Sequence, residues 1–143
     1  MPPGTVWRMA RTNLEQAAEM TAGEVIHERF SALPASATVS EVRKWFAVSP
    51  HRKMAFLAAD RRYVGSLTRA DVGGDLDPRR PASELAREGP TIAPEAPAKL
   101  GHELALQSDA LRVPVVDGDG ILLGVVGVTD DLAAFCGTAQ SRA

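Results

Sequence analysis

The sequence predicts an α+β fold assembled from two pseudo-symmetric repeats, each a small β-sheet packed by helices. Two observations predict it. First, one pattern occurs twice: a proline approach, an apolar run ending in Asp, and Gly-x-x-[Thr/Gly]-x-x-Asp, at Pro34 to Asp71 and again at Pro94 to Asp130. A repeat of this size is one supersecondary unit made twice, each copy leaving an apolar face that the other covers. Second, each copy joins a segment of helical period to two short apolar runs suited to buried strands. The cleft between the copies is the place to expect function.

Residues 1–20 read as an arm and a helix. Pro and Gly fill Met1 to Arg11 without a period, and Thr12-x-x-Glu15 then spells a capping box, with Leu14, Ala17 and Ala18 on one face of a helix to Met20. The first repeat, 21–75, opens with a second box, Thr21-x-x-Glu24, a turn through Val25 and Ile26, and a short strand from Phe30 to Ala32 into Pro34. Thr38-x-x-Glu41 caps a helix that carries Val39, Val42 and Phe46 and ends at Pro50. Met54 to Ala59 and Val64 to Leu67, joined by Asp60-Arg61-Arg62, predict a hairpin. Arg69 to Val72 starts a helix that Gly73-Gly74 interrupts.

A linker, 76–82, leads to the second repeat, 83–137. Ser83 to Arg87 is expected as a short helix, Thr91-Ile92 as a strand, and Pro97 in the first turn of a helix through Leu100 and Leu104. Val113 to Val116 and Ile121 to Val128 form a hairpin around Asp117-Gly118-Asp119-Gly120. Thr129 to Cys136 is expected to close as a helix stopped by Gly137, before a tail, 138–143.

A chain of 143 residues holds one compact domain that buries ~68–70% of its unfolded surface, and has no room for two independent activities. Its hydrophobic content of 45% and charged content of 24% fit a folded globular protein. The net charge of −2, with basic residues in separate short clusters at His51-Arg52-Lys53, Arg61-Arg62 and Arg79-Arg80, argues against nucleic acid as the partner. Cys136 stands alone, which excludes an internal disulfide and fits a reducing compartment. The longest apolar stretch, Ile121 to Val128, is far too short to span a bilayer, and no signal-peptide pattern precedes it, so a cytoplasmic location is expected.

Arg112-Val113-Pro114-Val115-Val116-Asp117-x-Asp119-Gly120-x-Leu122-Leu123-Gly124-Val125-Val126 resembles the centre of a cystathionine-beta-synthase (CBS) domain. Phe56-Leu57-Ala58-Ala59-Asp60 leading to Val64-Gly65-Ser66-Leu67-Thr68 is similar, with weaker spelling. The resemblance spans Thr21 to Gly137 and implies a tandem pair, or Bateman module.

The residues singled out for chemistry are Gly65-x-x-Thr68-x-x-Asp71, at a strand end and a helix start. A helix start offers unpaired N–H groups to a phosphate, a glycine permits close approach, a threonine hydroxyl donates, and a carboxylate accepts from both hydroxyls of a ribose. Thr-x-x-Asp is equally a capping box that needs no ligand. Both readings stand; in proteins resembling CBS pairs these positions meet the phosphate and ribose of adenine nucleotides. The second copy keeps Asp130 but has Gly127 in place of the threonine, so the two sites are expected to be unequal. Thr129 is expected to cap the last helix, and Asp131 to be a surface carboxylate. The resemblance further implies adenine-slot walls near Leu33-Pro34, Ile92-Ala93 and Val113-Pro114, each with a plain core alternative. Arg112 and His51-Arg52-Lys53 are candidates for phosphate charge.

The other motifs lead nowhere. Asp117-Gly118-Asp119-Gly120 resembles the opening of a calcium loop but lacks its third acidic ligand and terminal Glu. His27, His51 and His102 show no metal spacing, and no nucleophile elbow is present. The expectation is a non-catalytic regulatory module, without a required cofactor, that binds AMP, ADP or ATP, or alternatively S-adenosylmethionine or NAD(H). It would act through a homodimer, with Trp45 near the interface, or through an effector protein. A ligand-free interaction module is the alternative.

Overall fold

The computed structural model describes residues 11–27 and 30–138. Residues 1–10 of the expected arm and 139–143 of the expected tail lie outside the described residues. Element order is β1 (Arg11–Asn13), β2 (Leu33–Pro34), α1 (Val39–Ala47), β3 (Met54–Ala59), β4 (Arg62–Thr68), α2 (Ala98–Leu106), β5 (Arg112–Val116), β6 (Leu122–Gly127) and β7 (Ala134–Cys136), with short 3-10 turns between. The strands make a β2-β3-β4 sheet and the pairs β5-β6 and β1-β7.

The centre of each repeat forms as its sequence dictates. Thr38 and Glu41 cap α1 reciprocally, each accepting the other's backbone N–H. Helix α1 buries Val39, Val42 and Phe46. Strands β3 and β4 pair antiparallel, with β2 added in parallel at Leu33 and Pro34. The second repeat reproduces this: β5 and β6 pair antiparallel, and Ile92 bridges in parallel to Val115. The hairpins meet at their turns, where Tyr63 N–H donates to Gly120 O at 2.9 Å and Leu122 N–H to Arg61 O at 2.8 Å.

Several edges depart from expectation. No helix forms over Thr12 to Met20. Asn13 and Gln16 cap one another through side-chain and backbone bonds of 2.8–2.9 Å, which sustain only a turn, while β1 pairs with β7. The Phe30 to Ala32 strand is displaced to Leu33–Pro34. Arg69 to Val72 and Ser83 to Arg87 are cut to the 3-10 turns Ala70–Val72 and Ala82–Glu84. In the second case the chain must extend so that Arg87 can pair with Ser66. Helix α2 runs through Leu100 and Leu104 as expected; it buries Ala98, Gly101 and Ala105, packs the half-buried Leu104 against the core and leaves Leu100 exposed.

The final helix over Thr129 to Cys136 is absent. The Asp131 carboxylate accepts the Thr129 hydroxyl and the Ala133 N–H, and the Thr129 hydroxyl accepts the Ala134 N–H. Leu132 takes φ +65°. These contacts close a turn, after which Ala134–Cys136 runs extended as β7 and inserts the fully buried Phe135. Thr129 therefore shapes this turn instead of capping a helix.

The cores are shared between repeats. One contains Val113, Val115, Val126, Val128 and Phe135 of the second repeat, together with Ala22 and Val25 from the start of the first. The other contains Val39, Val42, Leu57 and Leu67 of the first, with Ala82 and the half-buried Leu85 and Ala86. A smaller apolar cluster joins Phe56 of β3 to Leu122 and Val125 of β6.

Candidate ligand-binding cleft

The exchanged openings create two related sites. An added Cβ on Gly65 would stand 2.8 Å from Ala86 Cβ, and one on Gly124 would stand 2.7 Å from Ile26 Cγ2. Each glycine thus admits the opening segment of the opposite repeat. The next residue then bonds to the strand: Arg87 N–H to Ser66 O at 2.9 Å, and His27 N–H to Val125 O at 2.8 Å. Each site consequently draws on both repeats.

At Asp130 the structure opens a cleft of about 750 Å³, within the range of small-molecule sites. Phe30, Met54, Phe56, Val125 and Val128 supply its apolar wall. The Phe30 and Phe56 rings are tilted, 5.6 Å apart. Lys53, Arg112, Thr129 and Asp130 supply its polar side. Lys53 Nζ donates to Asp130 Oδ1 at 2.7 Å. That hydrogen bond, followed by the charge of Lys53, lowers the Asp130 pKa, so the exposed carboxylate is ionised at neutral pH. Arg52 lies 4.6 Å above the Trp45 ring and donates to Trp45 O, which holds the rim.

The Asp71 copy is occupied by the chain itself. Asp71 Oδ2 accepts the Thr68 N–H and Oδ1 accepts Arg87 Nη2, both at 2.8 Å. The Asp71 side chain is 11% exposed, against 85% for Asp130. Tyr63 adds bonds to Ser66 Oγ and Arg87 O, and its burial raises its pKa. The contact between Asp71 and the Thr68 N–H is one half of a capping box; the 3-10 turn that follows has Arg69 as its N-cap, without a side-chain cap bond.

CBS-domain pairs are among the solved structures that this chain resembles. The CBS pair domain of a Shewanella oneidensis protein matches at TM-score 0.68 and 22% identity, over 80% of this chain and 68% of that one. A CBS pair/ACT domain protein from Thermotoga maritima matches at 0.66 and 20%, over 76% and 89%. A CBS-domain protein from Pyrobaculum aerophilum, complexed with AMP, matches at 0.65 and 26%, over 76% and 87%. The chain folds as a tandem CBS pair. No protein-family model matches the sequence, and no curated protein does.

Within this CBS pair, Arg112 and Asp130 come together in one cleft, whereas Thr68 and Asp71 bond to one another away from it. Pro34 is exposed on β2. Ile92 and Val113 lie in the core, and Pro114 is buried beside them, accepting the Ile92 N–H. Trp45 is half-buried at the cleft rim, its ring 5.1 Å from that of Phe46. The sequence reading passed over Phe30, Met54, Phe56, Val125 and Val128 as cleft residues. Phe30 carried a signal, as a large aromatic residue just after the exchanged opening; the others follow ordinary strand patterning. No group of three or more His, Cys, Asp or Glu side chains suited to a metal occurs among the described residues. Among them no helix is long and apolar enough to cross a membrane.

Proposed function

We propose that this CBS pair is a non-catalytic regulatory module that binds an adenine nucleotide in the Asp130 cleft. The observation that carries the reading is the meeting, between the repeats, of an ionised carboxylate, a guanidinium and an aromatic-lined apolar wall. Asp130 accepts the ribose hydroxyls, since Lys53 occupies one of its oxygens and the other is open. Phe30, Phe56 and Val125 provide an apolar bed for the base. The AMP complex of the Pyrobaculum relative supports this ligand class. Because the cleft draws on both repeats, an occupant that fits one arrangement of them better shifts the population toward it, and a homodimer or an effector protein reads the change.

A ligand-free interaction module is the second reading, favoured by the cation already paired with each carboxylate, Lys53 with Asp130 and Arg87 with Asp71. Calorimetric titration with AMP, ADP, ATP, S-adenosylmethionine and NADH separates the two. The expected result is saturable binding of an adenine nucleotide that Asp130→Ala weakens roughly tenfold or more and Asp71→Ala leaves in place. Folded, ligand-free protein that binds none of the panel overturns nucleotide binding for these ligands and leaves the interaction module as the better account.

A further inference from the structure

Arg69 follows β4 directly, between Thr68 and Asp71, and lies outside the lining of the Asp130 cleft. Its side chain turns back onto the end of α1. Nη2 donates to Phe46 O at 2.9 Å and to Ser49 O at 2.6 Å, and Nε donates to Arg52 O at 3.0 Å. The guanidinium also lies 5.0 Å from the centre of the Phe46 ring. The last carbonyls of a helix have no partner within it, and α1 ends without a glycine, running on through Val48 to Pro50. A planar fork of five donors can serve three carbonyls at once, and its positive charge suits a helix C-terminus.

The segment that Arg69 grips is the rim of the cleft. Ser49, His51, Arg52 and Lys53 all line it. Lys53 ends the rim and crosses from the first repeat to Asp130 of the second, donating to Oδ1 at 2.7 Å. Arg69 thus holds the backbone one residue before the cation that bridges the two repeats. At the matching place of the second repeat, between Gly127 and Asp130, stands the buried Val128. An aliphatic side chain there has no donor to offer, so the brace has no counterpart in that copy.

We infer that Arg69 is a positioning residue of the Asp130 cleft: from outside the cleft it holds the rim from Ser49 to Lys53 in the arrangement that brings Lys53 to Asp130. The order of the rim stands apart from any ligand. Its effect on affinity rests on the nucleotide-binding reading above, because a rim already ordered costs an occupant less to organise.

The test compares Arg69→Met, Arg69→Lys, Lys53→Met and the Arg69→Met, Lys53→Met double variant in the full chain, with circular dichroism establishing folding. The first readout is the titration of the Asp130 carboxyl by nuclear magnetic resonance. Lys53 is the largest influence holding that pKa below its ordinary value, with Arg112 acting more weakly in the same direction and Asp131 opposing. Arg69→Met is expected to raise it toward the ordinary value, as Lys53→Met does, and to add little once Lys53 is Met. Hydrogen exchange is expected to accelerate about fivefold or more at the Arg52 amide, which bonds to Ser49 O, and to stay unchanged at the Val42 amide within α1. AMP binding is expected to weaken about fivefold. Arg69→Lys keeps the charge without the fork and is expected to retain most of each defect; as the milder change it gives the same readings should the methionine variant not fold.

An Asp130 titration unmoved in folded Arg69→Met, equal acceleration at Arg52 and Val42, or full rescue by Arg69→Lys overturns the inference. Undiminished AMP affinity in Arg69→Met also overturns it, since the rim then does not serve the cleft. Wild-type protein that binds no AMP, with the titration and exchange shifts as expected, overturns the nucleotide-binding reading and leaves the dependence of the rim on Arg69 in place.

Discussion

Asp71 and Asp130 hold equivalent places in the repeat and differ in how many of their oxygens remain open. Asp71 gives one to the Thr68 N–H and one to Arg87, while Asp130 gives one to Lys53. The better-spelled motif is thus the self-satisfied one, which the sequence could not show because Arg87 is distant along the chain. Asp131 is exposed, as the sequence predicted, but it also organises a turn. Bonds from the Thr129 hydroxyl and Ala133 N–H, with help from Arg11, lower its pKa to about 2 from an ordinary 3.8. A depressed carboxylate contributes stability that is complete above the ordinary value and is lost as pH falls through the folded one. Hydrogen exchange at the Ala133 and Ala134 amides is therefore expected to accelerate between about pH 4 and pH 2, and Asp131→Asn to flatten that dependence.

At the scale of elements, local codes succeeded where the residues they needed were adjacent. The Thr38 box fixed α1, and Thr38→Ala is expected to cost about 1 kcal/mol in chemical denaturation. The codes failed at the chain's edges. Helices read over Thr12 to Met20 and Thr129 to Cys136 give way to β1 and β7, which satisfy each other's backbone groups across the molecule. Helical spacing of apolar residues does not reveal such pairing. The Thr12 and Thr138 hydroxyls bond at 2.8 Å, and His102 Nε2 on α2 donates to Leu132 O at 2.7 Å, securing both sides of the last strand. Phe135 is buried beneath it, so Phe135→Ala is expected to cost roughly 3–5 kcal/mol by the same assay.

Over the whole molecule, the exchange of openings makes the repeats interdependent. Ala22 and Val25 fill the core of the second repeat, and Leu85 and Ala86 pack against that of the first. Val25→Ala is expected to cost about 2 kcal/mol and to lower one cooperative unfolding transition without splitting it. Two separate transitions in calorimetry would contradict this coupling. The repeat, its two hairpins and its central helices were legible in the sequence, as was the inequality of the sites, because each rests on residue types at short fixed spacing. By itself the sequence determined a two-copy α+β pair carrying Asp71 and Asp130 at matched positions. Only the tertiary structure decided that Arg87 closes one carboxylate, that Arg69 bonds to the carbonyls behind the cleft rim, and that Phe30 and Phe56 line the open cleft. Those outcomes depend on contacts between residues far apart in the chain, and on side-chain direction, neither of which local spacing encodes.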